Sequence, residues 1–454
     1  MKRTTVFVLA AAAGLGIPLA HAQTSPPAGK TTGVAAAAPT QPNAAAVEQL
    51  KTPELALKTT RDLPTTTDPT FDQGTAERLK QAIQKYAALA AQGGWPMLPK
   101  DAKFVVGTEG ANDAALRRRL IATGDLASDQ ATGAFDATVS AAVKHFQARH
   151  GLPETGTVGP RTLAALNVPV EKRSKQLEAS LLRTSAINFG FGQRFVAVNI
   201  PAAYVEAVEG DRVVHRYRVV VGKTEKPSPT VSAEITDISL NPRWTVPASI
   251  TKNEIAAHMR TDPGYLDRMH MQLNDEHDGV IDPSTVDWSE GKTPNVIVRQ
   301  LPGPWNALGQ LKINMPNAYA VYMHDTNQKS LLSKDYRFDS HGCARVDQIR
   351  DLAAWLLQGA ADWDRTRIDA AIATGERQNV ALPKKVPVAW IYLTGWMTRD
   401  GTVNFRDDIY EQDDQLLDAA AEAREFFWKA PAGLQAIAQI RAKTPAPSHK
   451  PLPA

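Results

Sequence analysis

The chain has 454 residues, 43% of them hydrophobic, enough for several buried cores spread over about two to four domains. Its 51 Lys and Arg against 48 Asp and Glu leave a net charge of +3, too small to argue for a nucleic-acid partner. A single cysteine, Cys343, cannot make an internal disulfide, so stability must come from packing.

In chain order, Lys2 and Arg3 precede an apolar run, Thr4 to Ala20, and the small residues of "AHA" (Ala20 to Ala22). That order predicts a signal peptide over 1–22 and an exported mature protein. The run is short, and broken by Gly and Pro, so no stable membrane span is expected after cleavage. Residues 23–70 are rich in Ala, Thr, Pro and Gln and read as a flexible linker. Leu79, Ile83, Tyr86 and Ala90 then share one helical face, and Gly93, Gly94, Pro96 and Pro99 stop that helix, giving a scaffold segment over 71–104. Within 105–168, Asp136 or Thr138 can cap a helix carrying Val139, Val143 and Phe146; Gly151 ends it and Thr162–Leu166 opens another. Arg117 to Arg119 read as a solvated helix face. Residues 169–192 return to helical spacing and are expected to pack back on the first helix, leaving 105–168 as an insertion.

At Arg194 the period changes to two. Residues 194–222 alternate around Glu209-Gly210-Asp211, a hairpin signal, and Asn317–Thr326 continues the strand character. We therefore expect a multi-domain α+β chain with a β-rich catalytic domain over 193–363. Its polar, charged stretch, about 250–294, reads as a cap. Helices and a late strand at 386–398 would occupy 364–440, and 441–454 is a Pro-rich tail expected to be disordered.

The chemistry-bearing residues cluster around "DSHGCARV" (Asp339 to Val346). A thiol attacks carbonyls only as thiolate, so Cys343 needs a base or a positive field. It lies where strand gives way to helix, which supplies backbone N–H groups, and Gly342 permits close approach. His324, at the end of an expected strand, can move protons near neutral pH. An intermolecular bridge, an inert buried thiol and a metal site from His324, His341 and Cys343 are the other readings of these groups. Tyr322, Trp244 and Trp305 fit either a cleft border or a core, and His258, His270 and His277 read as surface.

Two resemblances narrow this. "TGAFDATVSAAVKHFQARHGLPETGTVGPRTLAAL" (Thr132 to Leu166) resembles the three-helix peptidoglycan-binding domain. "HDT", then "SHGC" with 15 residues (Asp325 to Asp339) after His324, then "AR", resembles the YkuD-type L,D-transpeptidase catalytic domain. "GGWPMLP", "NPRWTVPASI" and "KVPVAWIYLTGWMTRDGTVNFRDDIY" are similar to the large multi-domain L,D-transpeptidases of Gram-negative bacteria. By that resemblance Cys343 is the nucleophile and His324 the proton donor and acceptor, with Asp325 orienting the ring through its carbonyl. His341, Gly342 and Ser340 would support the oxyanion pocket, and Arg345 and Tyr322 would position substrate. Ala344 stands where Ile or Val is usual, and Asn327 replaces a frequent Pro.

The resemblance implies a wall-building periplasmic enzyme without metal or nucleotide cofactor. The thiolate would take the L-centre carbonyl of diaminopimelate in a tetrapeptide stem, expel D-alanine, and pass the acyl group to a second stem as a 3–3 cross-link. Peptidoglycan stems and glycan are the implied partners, with penicillin-binding proteins as candidates. An L,D-carboxypeptidase or hydrolase using the same thioester, or a decayed wall-binding scaffold, are the alternatives.

Overall fold

Apolar spacing builds the helical part of the computed structural model, which describes residues 63–290 and 294–429. The expected signal peptide, most of the linker and the Pro-rich tail fall outside those residues. Helix α1 (Thr75–Ala91) buries Leu79, Ala82 and Tyr86 against Val170 and Leu177 of α5 (Val170–Ala186). Between them lie α2 (Ala111–Thr123), α3 (Ala137–Arg149) and α4 (Pro160–Leu166), closed over Leu116, Leu120, Phe135, Val143 and Phe146. Of the two candidate caps, Asp136 serves, accepting the Val139 N–H at 2.9 Å.

The arginine run departs from expectation. Only Arg118 faces solvent; Arg117 and Arg119 are each 1% exposed. Arg117 donates to the carbonyls of Gln130 and Gly133 at 2.8 and 3.1 Å, and Arg119 to that of Leu166 at 2.7 Å. Connecting segments without ladder partners leave carbonyls unpaired, and a buried guanidinium with five donors satisfies several together. Stacking over Trp95, 3.9 Å from its ring centre, covers the Arg119 plane.

The β-rich part is one ladder. Strand order runs β11 (Phe338–Ser340), β3 (Arg212–Gly222), β12 (Ala344–Val346), β10 (Met323–His324), β9 (Leu311–Asn314), β4 (Val231–Leu240), β13 (Gln378–Ile391), β1 (Arg194–Asn199), β2 (Tyr204–Glu209). Because β2 also pairs with β3, the ladder closes on itself. The β2–β3 hairpin turns at Gly210 and Asp211, where Gly210 takes φ +59°. Strand β1 is buried on both faces. Val196 and Val198 join the main core with helices α6 (Ile349–Leu356) and α7 (Arg365–Ala373), while Phe195 and Ala197 pack on Phe71, Phe189 and Phe191. Strand β13 begins eight residues before the expected late strand, at Gln378, and a short hairpin, β14 (Gly395–Met397) and β15 (Val403–Phe405), follows it.

The cap is larger than its polar sequence suggests. It has its own four-stranded sheet, β5 (Trp244–Thr245), β8 (Ile297–Gln300), β6 (Met271–Asn274) and β7 (Val280–Ile281), and its own core from Val246 to Val298. Pairing of Trp244 with Gln300 joins its two ends, so the insertion leaves and re-enters the main sheet at one place.

Candidate functional site

Alternation in four adjacent strands makes the site. Ile238, Ile313, Met323, Ala344 and Val346 point into the core, so their sequence neighbours share the opposite face. Those neighbours are Asp237 and Ser239, Lys312 and Asn314, Tyr322 and His324, Cys343 and Arg345. Strands β10 and β12 run parallel with Met323 beside Ala344 and His324 beside Arg345. The parallel register sets Cys343 level with Tyr322 and His324 level with Arg345, so thiol and imidazole lie two positions apart along neighbouring strands.

The His324 ring is held from one side. Its Nδ1 lies 2.5 Å from the Asp325 carbonyl oxygen, so that nitrogen carries the proton and Nε2 keeps a lone pair. Burial, then the positive charges of Arg345 and Lys312, push its pKa down to about 3. The Asp325 side chain turns elsewhere, accepting the Gln310 N–H at 3.1 Å and pairing with Lys329. Gly309 (φ +58°) leaves it room, since a Cβ there would sit 2.4 Å from the Asp325 carboxylate. Asn306, fully buried, pins the same loop through the carbonyls of Pro242 and Leu301 at 3.1 and 3.0 Å.

Cys343 is half-buried, one residue before Ala344, whose N–H bonds the Tyr322 carbonyl at 3.1 Å. Burial raises the thiol pKa above its usual value; the neighbouring Tyr322 and the charges of Lys312 and Arg345 oppose that rise. Lys312 stands 4.1 Å over the Tyr322 ring. Arg345 donates to Gln328 at 2.9 Å.

The turn before Cys343 is tied inward. Ser340 Oγ donates to the Cys343 carbonyl at 2.5 Å and accepts the Gly342 N–H at 3.1 Å, so the Gly342 amide is engaged. Gly342 takes φ +111°, which only glycine adopts readily. Its carbonyl accepts from Ser228, whose N–H in turn bonds the Tyr410 hydroxyl. His341 is exposed and bonds Glu254 Oε1 of the cap at 2.9 Å.

Of the residues singled out from sequence, Tyr322, His324, Cys343 and Arg345 share this face and Ser340, His341 and Gly342 lie on its turn, while Asp325 offers only its carbonyl. Trp244 lies near Tyr322, while Trp305 is exposed and stacks on His270. His258, His270 and His277 are on the surface. Sequence reasoning missed Lys312, Glu254, Ser228 and Tyr410. Lys312 was readable from "LKIN", where one polar residue alternates with core positions; the others come from distant segments and leave no local signal.

Residues 193–369 match the YkuD family, the L,D-transpeptidase catalytic domain. Residues 109–166 match a second family, described as "Putative peptidoglycan binding domain". A Haemophilus influenzae protein named "Putative L,D-transpeptidase" is 31% identical over 223 residues, 49% of this chain and 45% of its own length. The chain thus spans less than half of that relative. Among solved structures, an L,D-transpeptidase from Stackebrandtia nassauensis is 14% identical with a TM-score of 0.25, covering 65% of this chain and 97% of its own. One from Mycobacterium smegmatis is 14% identical with a TM-score of 0.22, covering 44% and 58%. An L,D-transpeptidase domain joined to a peptidoglycan-binding domain is a cell-wall architecture, and the fold is the expected multi-domain α+β type. Among the described residues no helix is long and apolar enough to cross a membrane.

Proposed function

We propose that this chain is an exported, periplasmic cysteine acyltransferase that forms 3–3 cross-links between peptidoglycan stems. The observation that carries the reading is the shared sheet face on which Cys343 sits beside Tyr322, two cations and a neutral His324 with Nε2 unprotonated.

At rest both partners are neutral, because burial opposes the thiolate and the imidazolium alike. Proton transfer from Sγ to His324 Nε2 accompanies attack on the L-centre carbonyl of the donor stem. The new S–C bond drives the carbonyl electrons onto oxygen, where Lys312 and the amides of the turn can stabilise them. With the Gly342 amide held by Ser340, the amides of His341 and Cys343 are the donors this role requires. Collapse expels D-alanine, whose nitrogen takes the proton from His324. The side-chain amine of a second stem then attacks the thioester, His324 accepts its proton, and the thiol is restored. Neither step consumes a cofactor. Arg345, Tyr322 and Lys312 would position the stem, whose carboxylates suit the two cations.

Mass spectrometry of purified protein with disaccharide-tetrapeptide, beside Cys343→Ala, tests this. A cross-linked dimer absent from the variant is the expected result. Tripeptide without dimer would move the chain to the carboxypeptidases, and identical products from both proteins would remove Cys343 from the chemistry.

A further inference from the structure

A second cleft opens away from Cys343, where the β2–β3 hairpin meets α6 and α7. Its volume is about 810 Å3, within the usual span of small-ligand sites, ~300–1,000 Å3. Tyr217 and Trp363 supply aromatic surface, with the exposed His215 stacked 5.9 Å from the Tyr217 ring. Gln348, Asp351 and Asp364 ring these with amide and carboxylate groups.

One group there is unexplained by the fold. Tyr217 is 6% exposed and packs in the main core, yet its hydroxyl has no hydrogen-bond partner. Leaving a buried hydroxyl unpaired costs about 1–3 kcal/mol. Tyr217 lines this cleft together with Asp351 and Arg365.

We propose that this cleft binds a saccharide, the glycan backbone of the wall polymer, with the Tyr217 hydroxyl and the surrounding amides and carboxylates meeting sugar hydroxyls and the Trp363 ring meeting a sugar face. Sugars present donors and acceptors together on a ring whose C–H face is apolar. Planar aromatic surface rimmed by carboxylates and amides matches both halves. A basic or apolar peptide would leave Tyr217 unpaired or waste the rings. Gln348 is five residues beyond Cys343 on the same run of chain, so a strand held here would be tied to the sheet domain itself, independently of residues 109–166. The sugar's identity rests on the peptidoglycan reading; the existence of the site does not.

The test is calorimetric titration of the full chain with a β-1,4-linked N-acetylglucosamine hexamer, with hydroxyl-radical footprinting to locate the bound sugar. Protection at Trp363 is expected, with affinity about threefold weaker in Tyr217→Phe, the scale of one net hydrogen bond, and weaker still in Trp363→Ala. Thermal unfolding of Tyr217→Phe, which keeps the ring, separates lost binding from lost folding. Carbapenem acylation of Cys343 should be equal in all three proteins. Protection confined to 109–166, or affinity unchanged in both variants, overturns the site. Tighter binding of a synthetic 441–454 peptide at the same residues would replace the sugar with a peptide and also overturn it. Sugar binding at Trp363 without Cys343 acylation would uphold the cleft while removing the transfer reading.

Discussion

In the mechanism proposed above, Cys343 and His324 act as a pair in which neither group is charged at rest, and this sets a pH signature. Burial raises the thiol pKa, so thiolate grows as pH climbs past the usual thiol range. With His324 near 3, the imidazole is already neutral throughout the working range and contributes no step near pH 6.5. With thiol and imidazole both in their reactive neutral forms, the rate of Cys343 acylation by a carbapenem should be level between pH 6 and 8, with no inflection near 6.5. A bell with a limb near 6.5, read by stopped-flow or mass spectrometry, would contradict this arrangement. Ser340 acts through the backbone instead. Ser340→Ala removes both bonds that fix the turn, at the Cys343 carbonyl and the Gly342 amide, and should slow acylation about 10- to 100-fold while thermal stability changes little. The pair itself was legible in sequence because a strand end and a glycine-bracketed turn are local features. Lys312, opposite His324 across β9 and β10, had a readable strand position in "LKIN", but its placement beside His324 depends on a pairing between segments that sequence order does not reveal.

Strand pairing and the cap lie at the next scale, where long-range contacts decide. Alternation and the turn at 209–211 revealed the β2–β3 hairpin, but not that β1 would pair with β13 and β3 with β12 to close the ladder, since hydrogen-bond partners far apart in sequence leave no periodic trace. The cap was underestimated because Trp244 and Gln300, which pair across its neck, look like ordinary strand residues of the main sheet. Its link to the turn is a clasp, Glu254 on His341, carried on a π-helical turn at Thr251–Ile255. Partly exposed ion pairs contribute about 0.2–1 kcal/mol, so the clasp can shift a cap equilibrium only a few-fold. Glu254→Gln should accordingly raise amide exchange in 248–261 and change carbapenem acylation by about two- to fivefold, leaving global unfolding unaltered. Identical exchange in variant and parent would mean that the cap is fixed by its other contacts.

Across the whole molecule, two buried neutral histidines make stability depend on pH. His150 lies between Phe146 of α3 and Phe405 of β15, stacked on both, and so joins the helical module to the late hairpin. Burial, then Arg149 and Arg173, hold its pKa well below 6.5, as burial and Arg345 do for His324. The sign follows from which state takes the proton. Below about 6.5 the unfolded chain protonates both rings and the folded chain neither, so stability falls with pH. Asp125 acts lower on the scale: burial alone would raise its pKa, but Arg149, His145 and Thr123 hold it well below the carboxylate range, so its contribution is lost only as pH drops below about 4. Between pH 7.5 and 5.5 each histidine should remove on the order of 1 kcal/mol, and the two about twice that, if the two parts unfold as one. Arg149 favours that coupling, because it pairs with Asp125 at 2.5 Å and donates to the Val403 carbonyl at 3.0 Å. Urea unfolding at both pH values checks the sum, and His150→Gln, with nothing to protonate, should show about half of it. If instead the variant loses the pH dependence only in residues 105–168 by hydrogen exchange, the helical module unfolds on its own and the Arg149 bridge does not bind the two parts into one cooperative unit.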